Sequence, residues 1–247
     1  MTRCAELALE LAEPLMGTAP VAARWELVAR PKPWGRDHGL VAEGAKVLLV
    51  QRLFRDQVRG HVPERGISSV NPPIDGTCPR TVSQRTYLVC TNGARDPCCA
   101  IRGPAVARAL ERIRPGQVYE CSHLGGHRFA ANVLVLPDGL CFGRLDARSA
   151  PALAGELDAG RLPLEHLRGR TAYEPEQQAA EILVRRRLDL AGTDDLALVE
   201  GTTFELADGR RVTARLNAER LSPRRVSCRD EKTEAPRRWE LEDLVFA

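Results

Sequence analysis

The sequence predicts a mixed fold of the α/β or α+β type. From residue 86 onward, strand-like and helix-like segments follow one another in the order β-α-β-β-β-α. Asp-Gly dipeptides at residues 138–139 and 208–209 separate apolar runs, which is a strong signal for a β-hairpin. With 247 residues, of which 43% are hydrophobic, the chain can bury one large or two small domains.

The first third of the chain supplies one helix and two strands. Residues 5–16 are predicted to form an amphipathic helix, because Glu6, Glu10 and Glu13 recur through an otherwise apolar run. Residues 25–29 and 46–52 are apolar enough to be strands. Residues 55–85, which are rich in Gly, Pro, Ser and Asn, predict a loop.

The central part of the chain carries the alternating pattern. Asp96 is a suitable helix N-cap and Pro97 a suitable first helical residue, ahead of a helical pattern of apolar residues. The predicted elements of this part are a strand at 87–89, a helix at 103–113, strands at 118–122, 132–136 and 140–145, and a helix at 149–159.

Beyond residue 170 the pattern predicts a small α+β module. Residues 175–190 form an amphipathic helix, and strands follow at 204–206, 212–216, 226–228 and 239–241. The run Arg185, Arg186 and Arg187 is typical of a solvated helix face, or alternatively of a docking patch for an acidic partner. We expect the module to select a partner or to shield a site.

Two cysteines and two histidines form the strongest functional pattern. Cys90 and Cys99 are followed by His123 and His127, so one short stretch holds two thiols and two imidazoles. Four such ligands can close a tetrahedral zinc site or hold a two-iron cluster. From the residues alone, zinc and iron–sulfur fit about equally well, and the long spacing between the cysteines is unusual for a zinc knuckle.

The segment between the histidines indicates a turn. Gly125 and Gly126 disfavour a helix by about 1 kcal/mol each. They allow the backbone to approach a metal and to direct N–H groups toward it. The segment contains no glutamate, which argues against the zinc-protease version of a two-histidine motif.

The other cysteines have different predicted roles. Cys98 adjoins Cys99 near a helix start, so it is an alternative ligand. Cys121 and Cys141 lie in predicted strands and are expected to be small core residues. Cys4, Cys78 and Cys228 have no clear partners in the sequence, and a disulfide framework is not expected in a chain of this size.

Composition excludes some function classes. The net charge of +3 comes from nearly balanced acidic and basic residues, which argues against nucleic-acid binding. No apolar run approaches the length of a membrane span, and the charged N-terminal helix does not resemble a signal peptide. We therefore expect a cytoplasmic protein, where reducing conditions protect thiols and clusters.

The motifs resemble those of the sucrase/ferredoxin-like family, a branch of the thioredoxin-like [2Fe-2S] ferredoxins. The resemblance is carried by CTNGARDPCCA at 90–100 and ECSHLGGHRFAANVLVLPDGLCFGRL at 120–145. The opening segments CAELALELAEPLMGTAP and RWELVARPKPWG also resemble the family. The similarity is strong over 4–36 and 86–170 and weaker between.

The resemblance implies a fold, a cofactor and a set of ligands. It implies a thioredoxin-like layer of mixed sheet and helices over 1–170, with its metal-binding core at about 86–160, while the module at 171–247 is predicted from the sequence pattern alone. It implies a [2Fe-2S] cluster, and Zn²⁺ stays the alternative that the four residues themselves allow. The ligands carried over to this sequence are Cys90, Cys99, His123 and His127. An H-x3-H pair then stands where four-cysteine relatives have C-x3-C.

The expected function is one-electron transfer or redox sensing with a redox protein as partner. Gly125, Gly126, Arg128 and Asn132 are candidates for supporting the ligands. An electron carrier is favoured over an enzyme, because no paired carboxylates suited to glycoside cleavage are found. The alternatives are a zinc-stabilised interaction module and a thiol oxidoreductase using the adjacent Cys98 and Cys99, although C-x-x-C is absent.

Overall fold

The structure of the protein is a computed structural model that describes residues 2–36, 45–52, 67–70 and 85–247. The helices found there are α1 (Cys4–Glu10), α2 (Pro97–Ile113), α3 (Ser149–Asp158) and α4 (Pro175–Leu188). The strands of the larger sheet are β1 (Arg24–Ala29), β2 (Ala45–Arg52), β3 (Ile67–Val70), β4 (Thr86–Cys90), β5 (Val118–Cys121), β6 (Val133–Leu136), β7 (Leu140–Phe142) and β8 (Leu167–Arg170). The remaining strands are β9 (Leu196–Glu200), β10 (Thr203–Leu206), β11 (Arg211–Arg220), β12 (Arg224–Arg225), β13 (Thr233–Glu234) and β14 (Arg237–Phe246). The predicted α+β class is confirmed.

The larger sheet has the strand order β3-β1-β2-β5-β4-β6-β7-β8. Helix α2 connects β4 to β5, which run parallel, while β6 and β7 form the antiparallel hairpin predicted from Asp138-Gly139. In the parallel pair, Cys90 lies opposite Cys121. The C-terminal ends of β4 and β5 therefore lie side by side, and the chain leaves both strands at the same edge.

Both faces of the central strands are buried. Tyr87 and Val89 contribute to a core shared with α2 and α3, whereas Leu88 and Cys90 contribute to a second core on the opposite face. Residues that alternate along a strand face opposite sides of the sheet. Burial on both sides explains why β4 and β6 are continuous apolar runs rather than alternating ones.

Several predicted boundaries are wrong for local reasons. The first helix ends at Glu10 rather than at residue 16. Pro14 lacks an N–H group and disfavours a helical conformation at the preceding residue, so the helix cannot continue. Helix α2 begins at Pro97, six residues earlier than its apolar pattern suggests, and the predicted N-cap is confirmed because the Asp96 side chain accepts from the Cys98 N–H at 2.9 Å.

Other predictions fail or fall outside the described residues. The predicted strand at 226–228 is wrong, because the strand β12 ends just before it. Strands β8 and β9 were not predicted. The predicted loop at 55–85 lies mostly outside the described residues, as does Cys78, and Ile67–Val70 within it form β3.

The C-terminal region forms its own sheet and core. Strands β9, β10, β11 and β14 pair in the order β14-β11-β10-β9, and the hairpin at Asp208-Gly209 is confirmed. Phe204 and Val212 pack with Val184 of α4 in this core. The expectation of a solvated arginine face is wrong for Arg185, which is completely buried because its guanidinium pairs with Glu181 at 3.1 Å.

None of the helices in the described ranges is long and apolar enough to cross a membrane.

Candidate metal centre

The end of β4 and the start of α2 bring two of the predicted ligands together. Cys90 is the last residue of β4, and Cys99 lies in the first turn of α2; both are buried in one core. The close approach depends on Gly103, because a Cβ atom there would lie 2.3 Å from the carbonyl oxygen of Cys90. A glycine at this helix position therefore allows α2 to pack closely against the end of β4.

The two thiols are electrostatically coupled. Hydrogen bonding with the Cys99 thiol holds the pKa of Cys90 well below its usual value, and His123 acts in the same direction against the effect of burial. The same hydrogen bond, together with burial, raises the pKa of Cys99 well above its usual value. The pair therefore favours one thiolate and one thiol, and a thiolate is the form that binds metals.

The two histidines lie on the turn that follows β5. A short 3-10 turn begins at His127, and its N-terminal residue Gly126 adopts a left-handed conformation with φ of 66°, as does Gly125 with φ of 84°. The histidine ring centroids are 5.1 Å apart. The turn predicted from the two glycines is thus formed, and it places both rings at one location.

Three imidazole nitrogen atoms of this turn lack hydrogen-bond partners. They are Nδ1 of His123 and both ring nitrogens of His127, all buried and without a partner among the described residues. Burial lowers the pKa of His127 from its ordinary 6.5 to about 4, although Asp96 opposes the shift. His127 is consequently neutral near pH 7, as a metal ligand must be.

An arginine that sequence reasoning missed holds the histidine turn. The completely buried guanidinium of Arg168 in β8 donates to the carbonyl of Gly125 at 3.0 Å and to Oδ1 of Asn132 at 2.9 Å. Asn132 in turn donates to the carbonyl of Gly126 at 3.0 Å. No local pattern marks Arg168, which lies 43 residues after Gly125, so only the pairing of β7 with β8 brings it to the turn.

Arg128 is expected from the sequence to support a ligand, but its guanidinium contacts two glutamates instead. Its guanidinium donates to Oε1 of buried Glu13 at 2.6 Å and also pairs with Glu234 at 3.6 Å. It therefore connects the histidine turn to the N-terminal segment and to β13.

A second group of potential ligands lies beside the first. Within the described residues, the ligand atoms of Cys4, Asp96, Cys98 and Cys228 all lie within 4.8 Å of one another. Cys4 and Cys228 have no clear partners in the sequence, because they meet only in the folded chain. Asp96 lies between the two groups, with its Oδ2 atom 3.7 Å from Nε2 of His127.

A cleft of about 610 Å³ gives access to the histidines. His123, His127, Gly125 and Gly126 lie in its wall. The charged side chains that line it are mostly basic: Lys46, Arg95, Arg128, Arg168, Lys232 and Arg237, against Asp230 and Glu234.

Comparison with known proteins identifies a family. A family model described as Sucrase/ferredoxin-like matches residues 20–169, which is more than half of the 247 residues. No curated protein and no solved structure matches the chain significantly. The matched segment contains Cys90, Cys99, His123 and His127. The chain therefore belongs to the sucrase/ferredoxin-like family.

Proposed function

We propose that the protein binds one [2Fe-2S] cluster through Cys90, Cys99, His123 and His127 and acts in one-electron transfer or redox sensing. The observation that carries the proposal is the set of buried imidazole nitrogens without partners on the histidine turn. Buried polar atoms are normally hydrogen-bonded, so three buried histidine nitrogens without partners indicate that a bound group completes the site. When bound, the cluster supplies a one-electron redox couple whose potential histidine ligation raises.

The arrangement of donors supports a two-iron cluster over a single zinc ion. Cys90 and Cys99 form one coupled pair, His123 and His127 form another, and a hydrogen bond between Cys90 and His123 joins the two. These four are not among the ligand atoms that lie within 4.8 Å of one another in the described part of the chain. A single tetrahedral ion requires all four donors around one point, whereas a cluster with two metal atoms accepts donors spread over two centres.

The position of Cys98 supports Cys99 as the ligand. The sulfur of Cys98 lies 3.6 Å from the sulfurs of both Cys4 and Cys228. Cys99 instead interacts with Cys90. Cys98 and Cys99 are adjacent in the first turn of α2, and each belongs to a different group of potential ligands.

The topology around the site supports a thioredoxin-like layer. Strands β4 and β5 run parallel and are connected by α2. Strands β6 and β7 form a hairpin beside β4, and α3 follows in the chain. We assign this layer to a domain at 1–170 and the second sheet to a module at 171–247.

The basic cleft beside the histidines suits the acidic surface of a redox protein partner. The seven described cysteines are all free thiols, which suits a reducing compartment such as the cytoplasm.

Residues of the chain prepare the site before any group binds. Arg168 and Asn132 fix the backbone of the histidine turn through hydrogen bonds to Gly125 and Gly126. Gly103 fixes the separation of α2 from Cys90. Such preorganisation keeps the ligands in place and limits rearrangement when charge changes.

The deciding experiment is anaerobic purification followed by an absorption spectrum, iron and sulfide analysis and voltammetry on one sample. We expect visible charge-transfer bands, two iron and two sulfide per chain, and a reversible one-electron couple. Cys90→Ser and His127→Ala should each abolish or shift the visible bands.

Cys121→Ala is the matched control, because Cys121 is an equally buried cysteine directly opposite Cys90 in the sheet. It should keep the spectrum of the parent protein. A colourless protein that takes up neither iron nor sulfide on anaerobic reconstitution would contradict the proposal.

A further inference from the structure

Three cysteines and an aspartate from distant parts of the chain meet in the interior. Cys4 begins α1, Asp96 and Cys98 begin α2, and Cys228 follows β12. Cys98 is separated along the chain by 94 residues from Cys4 and by 130 from Cys228. Cys4, Asp96 and Cys98 are completely buried and Cys228 is half-buried, so the group is enclosed but reachable from the side of Cys228.

The separations within this group match those around a tetrahedral zinc ion. The sulfur of Cys98 lies 3.6 Å from the sulfur of Cys4 and 3.6 Å from that of Cys228. The sulfur of Cys4 lies 3.7 Å from both carboxylate oxygens of Asp96. With zinc–sulfur bonds of about 2.3 Å, two sulfurs of a tetrahedral site lie about 3.8 Å apart.

We propose that Cys4, Cys98, Cys228 and Asp96 bind one Zn²⁺ as a structural site, separate from the group formed by Cys90, Cys99 and the two histidines. Three thiolates and one carboxylate supply four donors of two kinds that zinc accepts, and they leave no open coordination position. As the ion binds, the three thiols release their protons to solvent, and no electron is transferred.

The groups around the four donors favour this assignment. The Cys4 N–H donates to the sulfur of Cys228 at 3.2 Å, which stabilises a thiolate there. The carboxylate of Asp96 is fixed by the N–H groups of Cys98 at 2.9 Å and Cys228 at 2.8 Å. Because Oδ1 accepts from only one of these N–H groups, a lone pair remains for a metal.

A disulfide explains this group less well. Three thiols can form only one disulfide among themselves, and Cys98 is equally close to its two neighbours. A disulfide would also give no reason for a carboxylate oxygen of Asp96 to lie 3.7 Å from the sulfur of Cys4. One zinc ion uses all four side chains at once, and it joins α1, α2 and the C-terminal segment.

The test is metal analysis of the full chain, with zinc, iron and sulfide measured on the same sample. We expect one zinc per chain in the parent protein. Cys228→Ser should reduce zinc at least tenfold while leaving iron and sulfide unchanged. The matched control Cys141→Ser alters a buried cysteine outside both groups and should retain zinc. Because zinc and iron are measured separately, loss of the zinc ion can be distinguished from loss of the cluster.

A second measurement covers the case in which a variant fails to fold. Zinc-edge X-ray absorption of the parent protein should show three sulfur neighbours at about 2.3 Å and one oxygen at about 2.0 Å. Nitrogen neighbours from histidine would place the zinc in the other group and overturn the proposal. Protein that binds no zinc when supplied with an equimolar amount would overturn it too, as would a Cys4–Cys98 or Cys98–Cys228 disulfide found by peptide mapping of the parent protein.

Discussion

At the scale of single residues, Arg168 connects the parts of the site that lie on different elements. Its guanidinium donates to backbone and side-chain oxygens of the histidine turn and, through Nε, to the hydroxyl of Thr18 at 3.1 Å. It is completely buried, and its partners are neutral oxygens and, at 3.6 Å, the sulfur of Cys141. The arginine therefore acts as a structural clamp, since one charged group bonds to acceptors of the histidine turn and of the N-terminal segment.

Arg168→Met keeps the length of the side chain but removes these hydrogen bonds. Hydrogen bonds to charged groups contribute about 1.5–3 kcal/mol each, so we expect the free energy of unfolding to fall by roughly 2–4 kcal/mol. Urea denaturation measures the change. Arg187→Met, on the exposed side of α4, should change stability by less than about 0.5 kcal/mol. Equal effects of the two substitutions would show that the clamp does not stabilise the fold.

His127 gives the metal-free protein a specific dependence on pH. Its pKa is about 4 in the folded chain and 6.5 ordinarily, so between these values the unfolded chain binds more protons. The free energy of unfolding is then unaffected by His127 above about pH 6.5. It decreases as the pH drops toward 4, by up to roughly 3 kcal/mol, because the unfolded chain takes up the proton first. Urea denaturation of chelator-treated protein between pH 4 and 7.5 measures it.

His127→Asn should reduce this dependence of the free energy of unfolding on pH, whereas His166→Asn should leave the dependence unchanged. His166 lies outside the site and contacts the carbonyl of Gly143 at 3.2 Å. A slope that survives in His127→Asn would assign the acid sensitivity to other groups.

At the scale of elements, the histidine turn depends on two glycines for different reasons. Both have positive φ, which strains any other residue. A Cβ atom on Gly126 would lie 2.4 Å from Nη2 of Arg168, whereas a Cβ atom on Gly125 meets nothing within 4 Å among the described residues. Gly126 therefore provides space for the clamp as well as the backbone conformation.

Comparing Gly126→Ala with Gly125→Ala separates the two effects. Gly125→Ala should cost about 1 kcal/mol from backbone strain alone. Gly126→Ala should cost at least about 2 kcal/mol more, because the buried guanidinium must move and lose hydrogen bonds. Urea denaturation provides the numbers, and equal costs would mean that Arg168 adapts without loss.

At the scale of the whole molecule, a buried ionic group joins the two sheets. Glu181 of α4 accepts from Arg170 of β8 at 2.9 Å and from Arg185 of α4 at 3.1 Å. Arg185 also donates to the carbonyl of Gly192 at 2.6 Å, ahead of β9. The carboxylate thus neutralises two arginines where the larger sheet, α4 and the second sheet meet.

Glu181→Gln should leave two buried guanidinium groups without a counter-charge. Breaking a buried ion pair by removing one partner typically costs 3–5 kcal/mol, and we expect a loss of about that size. Chemical denaturation followed by fluorescence and circular dichroism measures it. Glu176→Gln, on the exposed part of the same helix, is the control and should be nearly neutral. A neutral Glu181→Gln would mean that the two sheets are held together by apolar packing alone.

Features that depend on neighbouring residues could be predicted from the sequence. These are the order of strands and helices over residues 86–159, both Asp-Gly hairpins and the Asp96 cap of α2, because hydrogen bonding and periodicity over a few residues decide them. The residues Cys90, Cys99, His123 and His127 could be singled out for the same reason, since metal-ligand types at short spacing are visible in the chain.

Which distant residues meet depends on the folded chain and could not be predicted. Arg168 reaches the histidine turn through strand pairing, and Cys4 and Cys228 reach Cys98 through the packing of the two ends of the chain against α2. The burial of Arg185 likewise depends on Glu181 and on a strand that the sequence did not reveal. Contacts between residues far apart in the chain arise from burial of shared apolar surfaces, and no local pattern records them.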